Sequence, residues 1–257
     1  MGLWTKWHAL SILPTQAIFL LAAIGIGLLL RNKSDKIRYI PLQVIAVIIL
    51  LMEVGKQINA AIGGYDLYAL PFHYCSLFLY ILPIHSFYKG KYKSYTDAVS
   101  FGCLSSLLLF MLVAPSVVYS GDNVQNFFGS YGDFHTVAFH NIVCFYFLLS
   151  LTLKSYTERK VKRDFIVLAV FLGAYVALAT LLSHTLNVNF QNLLKCNLAA
   201  LENVRVALVG AVGNLVGYTI YTVVIFVGTI LFAYLSYYLT TLILSLIAKI
   251  RKTEKKA

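Results

Sequence analysis

An all-α, polytopic membrane helical bundle is the fold class this sequence predicts, and three observations predict it. The 257 residues are 60% hydrophobic and 12% charged, with a mean hydropathy of +0.78, whereas a soluble domain is roughly a quarter charged. Seven apolar stretches reach or exceed the roughly 20 residues that carry a helix across a hydrocarbon core of about 30 Å. Basic residues concentrate in alternate loops, the pattern that sets membrane orientation.

In chain order the expected spans are 10–30, 37–61, 67–87, 97–119, 134–153, 165–185 and 206–248. The first is too long, and its flanks too poor in basic and small residues, for a cleaved signal peptide, so the chain is expected to begin with a membrane helix. The last is far too long for one span, and a re-entrant, interfacial or tilted portion is expected there, with Gly210, Gly213 and Gly217 permitting a break or close packing. Seventeen of the 21 Lys and Arg residues fall in loops 31–38, 88–96 and 154–164 and in the tail from 249, and only three in the alternate loops and the N-terminal segment. This places the N-terminus outside and the C-terminus in the cytoplasm. One integral membrane domain, 1–257, with a basic cytoplasmic tail at 249–257, is the natural division. The net charge of +11 is therefore a topology and lipid-contact signal rather than a nucleic-acid-binding face.

Ionisable side chains at membrane depth are costly and by default mark function. Leu70-Pro71-Phe72-His73-Tyr74-Cys75 opens the third stretch with an imidazole and a thiol. Taking each stretch as a regular helix, Cys75 lies roughly 12 Å inward from the outer end, Glu53 roughly 12 Å and His140 roughly 9 Å. Three ionisable groups from three helices thus share one depth. Glu53, Lys56 and Gln57 fall at i, i+3 and i+4 on one helix face, either as a packing pair or as one wall of a polar cavity in which Glu53 orients a histidine. His73 and Cys75 are expected about 200° apart on a helix, so the base for Cys75 must come from elsewhere. The fifth stretch offers His135 and His140, of which His140 matches the depth of Cys75 better. The amide-rich loop 187–197, with Asn192 and Asn197, offers donors for an oxyanion or a lipid headgroup.

Leu70-Pro71-Phe72-His73-Tyr74-Cys75 resembles the Leu-Pro-Leu-His-Leu-Cys motif of the YwaF-like family of multipass proteins, which includes transmembrane protein 164. His140 falls where that family carries a later histidine, and 192–197 resembles its Asn-x-x-x-x-Asn loop, although the aromatic residue and Pro that follow the loop in the family are absent. The resemblance implies a membrane acyltransferase with Cys75 as acyl-accepting nucleophile and His140 as base. Its acyl donor would be a membrane phospholipid and its acceptor a lipid or lipoprotein, or water if the protein is a lipase. His73, Glu53, Gln57, Asn192, Asn197 and His135 would be supporting or substrate-binding groups. No cofactor and no metal are expected. Cys75, Cys103, Cys144 and Cys196 lack metal-ligand spacing, and no two histidines stand at i, i+4 as a zinc hydrolase helix would place them. The rival class is a multipass transporter or channel with a path lined by Glu53, Lys56 and Gln57, in which Cys75 has no necessary role.

Overall fold

The computed structural model describes residues 3–196 and 199–254, the last five of these as backbone only. The described residues form helices α1 (Lys6–Leu30), α2 (Asp35–Ile62), α3 (Phe78–Phe87), α4 (Lys93–Val113), α5 (Gly121–Gln125), α6 (Tyr131–Thr152), α7 (Val161–Leu186), α8 (Ala199–Val212) and α9 (Asn214–Glu254), with short 3-10 turns at Leu67–Ala69, Tyr74–Leu77, Pro115–Val117 and Phe190–Asn192. Six helices, α1, α2, α4, α6, α7 and α9, are long and apolar enough to cross a bilayer. The protein is an integral membrane helical bundle.

Two of the expected spans are built differently from a single helix. Residues 67–87 do not form one: continuous helix runs only from Tyr74 to Phe87, about 21 Å at 1.5 Å per residue. The cause is local. Gly64 turns the chain at φ +83°, the Asp66 carboxylate caps the 3-10 turn by accepting from Tyr68 N, and Leu70, restricted by the following Pro71, is extended at ψ 141°. The stretch 206–248 falls inside a hairpin of α8 and α9 broken at Gly213, φ +79°. At Gly217 a Cβ would lie 2.6 Å from Val209 Cα, so only glycine lets the two helices approach this closely. Elsewhere Pro115 stops α4 short of the expected residue 119 by removing a backbone donor.

α4 and α6 form the centre: 67% and 61% of their apolar stretches are buried, against 11% for α9. α6 packs on α1, α2 and α4, while α4 packs on α3, α7 and α9. The end of the bundle where α2 begins and α3 ends is locked by a buried polar network. Tyr146 Oη lies 2.6 Å from His85 Nδ1 and 2.7 Å from Ser86 Oγ. Asp97 accepts from Thr157 N at 2.9 Å and from Lys93, and lies 3.6 Å from His85 Nε2. His85, to which the sequence assigns no role, thereby joins α3 to α4 and α6. Asp164 similarly accepts from Tyr237 Oη at 2.7 Å, tying α9 to α7.

Replacing Gly217 with Ala is expected to force α8 from α9 and destabilise the protein by about 1–3 kcal/mol, seen as a lower melting temperature in detergent. Gly210→Ala, where the added methyl meets nothing within 4 Å, is expected to leave it unchanged or slightly raised. Equal behaviour of the two variants would contradict the close approach.

Candidate functional site

At the opposite end of α2 from the His85 network, the stretch 69–73 that leads into Cys75 is held by side chains from three directions. From α2, Gln57 Nε2 donates to Ala69 O at 2.8 Å while Tyr65 Oη donates to Gln57 Oε1 at 2.5 Å. From α7, Tyr175 Oη donates to His73 O at 2.9 Å. From the loop after α7, Gln191 Nε2 donates to Phe72 O at 3.2 Å, and Phe190 packs edge-on against the rings of Phe72 and His73. His73 itself is extended (φ −73°, ψ 158°) and caps the 3-10 turn that carries Cys75. The expectation of His73 and Cys75 on opposite faces of a regular helix is therefore corrected, and with it the depth assigned to Cys75 by counting helical residues. The extended run through Pro71 and the 3-10 geometry remove the helix on which both were reckoned.

His73 Nε2 lies 3.0 Å from Tyr68 O. A carbonyl can only accept, so this nitrogen carries the proton, and His73 fastens its own segment. Cys75 is a half-buried free thiol packed against the main core. The Glu53–Lys56 ion pair of α2, 2.8 Å long, acts electrostatically on both His73 and Cys75. Gln57 Nε2 also donates to Glu53 Oε1 at 2.6 Å, so the Glu53, Lys56 and Gln57 side chains satisfy one another.

α6 supplies both histidines. His135 is buried, with its Nε2 3.8 Å from Glu53 Oε2 and without a hydrogen-bond partner; at that separation the two groups are neighbours and not hydrogen-bonded. Of the two histidines of α6, His135 is the one beside Glu53, with no hydrogen bond by which Glu53 would orient it. Tyr131, one turn earlier, donates to Met52 O at 2.8 Å, and Gly55 makes room for it, since a Cβ there would lie 2.2 Å from the Tyr131 hydroxyl. His140 is buried between Phe139 and Tyr119, and its Nδ1 lies 2.6 Å from Thr136 O. That contact fixes the proton on Nδ1 and leaves Nε2 with its basic lone pair. Among the described residues, no hydrogen bond joins the Cys75 thiol to either imidazole.

In the loop after α7, Asn192 is left-handed (φ +60°) and its carbonyl accepts from Tyr221 Oη of α9 at 2.7 Å. The loop is organised by Asn189, whose Oδ1 accepts from Leu194 N and Lys195 N, and by Glu202, which accepts from Cys196 N at 2.8 Å and from Arg205. Asn197 lies outside the described residues. Among the described residues no cluster of His, Cys, Asp and Glu could hold a metal ion.

A model of the TMEM164 family matches residues 3–237. The chain belongs to that family. Neither a curated protein nor a solved structure matches it. The matched span contains the whole group just described, from Glu53 through Cys75 and His140 to the loop at 187–196.

Sequence reasoning missed Tyr175, Gln191 and Tyr68, which bond the backbone of the His-x-Cys segment or its histidine. Gln191 lay in the amide-rich loop already singled out, but nothing along the chain distinguishes Tyr175 from the other 17 tyrosines.

The Glu202 link gives the loop a pH dependence. Hydrogen bonds from Arg205 and from Cys196 N push Glu202 down from 4.5 to about 2. A depressed carboxylate contributes stability that is complete above its unfolded pKa and is lost as pH falls through the folded value. Amide protection of residues 194–196, corrected for intrinsic exchange, is therefore expected to hold at pH 5 and to fall between about pH 4.5 and 2. Glu202→Gln should remove that dependence, and a wild-type profile in the variant would refute the link.

Proposed function

We propose that this protein is a membrane-embedded lipid acyltransferase in which Cys75 is the nucleophile and His140 the general base. The observation that carries the reading is that, in a TMEM164-family chain, the stretch leading into Cys75 is held from α2 and α7 beside the ion pair Glu53–Lys56. A thiol in the first turn after a non-helical stretch whose carbonyls are held from α2, α7 and the loop after α7 has the fixed position a nucleophile needs. The loop charges further favour placing this end of the bundle toward the exterior and the His85 end toward the cytoplasm, so that the donor is a phospholipid of the outer leaflet.

In the proposed cycle His140 Nε2 takes the proton of the Cys75 thiol and the thiolate attacks an ester carbonyl of the phospholipid. The tetrahedral intermediate collapses with cleavage of the carbon–oxygen bond, and the lysolipid leaves as an alcohol after accepting the proton from His140. The acyl chain is then a thioester on Cys75. A hydroxyl or amine of the acceptor, deprotonated by His140, attacks that thioester, and the thiolate is released to regain its proton. Such a sequence gives ping-pong kinetics. Because the N–H of His73 is engaged by Tyr68 O, oxyanion stabilisation is assigned to the amides of the 187–197 loop, with Asn192 and Asn197 the donors to test. Glu53 and Gln57 brace the segment, and His135, beside Glu53, is the second imidazole of the site.

Intact-mass analysis of purified protein incubated with phospholipid tests the reading. An acyl adduct is expected in the wild type and none in Cys75→Ala. His140→Ala is expected to lower turnover by about 10²–10⁴-fold, the range for loss of a general base. Should His140→Ala be silent while His135→Ala shows that loss, the base role passes to His135. Full activity in Cys75→Ala would end the acyltransfer reading in favour of a transport role.

A further inference from the structure

The outer side of α2 carries a concavity far from Cys75. An open-sided groove of about 280 Å³ lies between α2 and the end of α3, lined by Ile40, Gln43, Val44, Val47, Ile48 and Phe87. Its apolar α2 residues repeat at i, i+4, i+7 and i+8, the spacing of one helix face, and each is at least 40% exposed. From Ile40 to Ile48 the groove follows roughly 12 Å of helix, under half the roughly 30 Å thickness of the hydrocarbon core. Ile40 is about 20 Å along α2 from Glu53, so this concavity is separate from the site above.

The mouth of the groove is basic. Lys36 stands one turn before Ile40 on the same helix face, is exposed, and makes no ion pair among the described residues. Lys89, two residues beyond Phe87, sits with its Nζ 2.7 Å from the ring centroid of Tyr39, the neighbour of Ile40, and likewise pairs with no carboxylate among the described residues. The nearby acids are already taken: Asp35 by Arg38 at 2.9 Å, and Asp97 by Lys93. Partial desolvation and the charge of Lys93 push Lys89 down to about 8, outweighing the opposing pull of Asp97 and Asp35.

We propose that this groove binds one anionic glycerophospholipid of the surrounding leaflet, with its phosphate between Lys36 and Lys89 and part of one acyl chain along Ile40, Val44, Val47 and Ile48. An unpaired pair of lysines at the end of an apolar channel matches an amphiphile with a negative head and an extended apolar chain, which neither a free anion nor a neutral lipid does as well. The site does not depend on the acyltransfer reading and involves none of its residues.

Native mass spectrometry of the full chain, stripped in detergent and supplied with phosphatidylglycerol or phosphatidylcholine of identical chains, tests the site. One phosphatidylglycerol adduct is expected to survive activation at least about fivefold better than phosphatidylcholine. The charge-reversed double variant Lys36→Glu with Lys89→Glu is expected to abolish that preference. Val44→Trp, which fills the groove from an exposed position, is expected to lower retention of phosphatidylglycerol itself. Equal retention of the two headgroups by the wild type would mean ordinary annular lipid and overturn the proposal. So would an unchanged preference in the charge-reversed variant, or unchanged retention in Val44→Trp with its melting temperature preserved.

Discussion

Irregular backbone at bilayer depth must find its hydrogen bonds inside the protein, because hydrocarbon offers none. The stretch between α2 and α3, where Gly64, Asp66 and Pro71 prevent a continuous helix from starting before Tyr74, finds its partners within the protein. The carbonyls of Tyr68, Ala69, Phe72 and His73 are met by His73, Gln57, Gln191 and Tyr175 in turn. These donors come from the segment itself, α2, the loop after α7, and α7. Four parts of the chain must therefore be assembled before Cys75 has a fixed position.

This arrangement explains why the polar residues of α2 are clustered. Glu53, Lys56 and Gln57 form one bonded unit, and that unit faces three ways: toward the segment through Ala69 O, toward α6 through His135, and toward the thiol through charge. Gly55 on the same helix admits Tyr131, keeping α6 close enough for the Glu53–His135 contact.

Much of the architecture was legible from hydropathy, because a helix in lipid must be apolar over a fixed length. The helical stretches near 10–30, 37–61, 134–153 and 165–185 appear within four residues of the expected limits, while the one expected to reach 119 ends at Val113 before Pro115. What hydropathy does not report is backbone geometry. Residues 67–87 are apolar enough to read as a span, yet Pro71 and the turn before it decide otherwise. Of the three glycines expected to permit a break or close packing, Gly213 makes the hairpin break and Gly217 the close contact, while Gly210 faces open space. Within the site, the residue types at 53, 56 and 57 announced themselves by charge at depth, and Glu53 does lie beside a histidine. That the neighbour is His135 rather than His140 depends on how α6 is rotated against α2, and no spacing along the chain encodes that angle. Tyr175 was invisible for a related reason: its hydroxyl serves a carbonyl, and carbonyls leave no trace in a sequence.

The length of α9 has a mechanical consequence. Its 41 residues rise about 61 Å, twice the depth of the hydrocarbon slab, so the helix is a long rod that starts at the Gly213 elbow. Close to that elbow Tyr221 grips the carbonyl of Asn192, and the adjoining Gln191 grips Phe72. Tilting the rod would thus tug on the backbone two residues upstream of Tyr74, carrying motion from one side of the bilayer to the turn that holds the thiol.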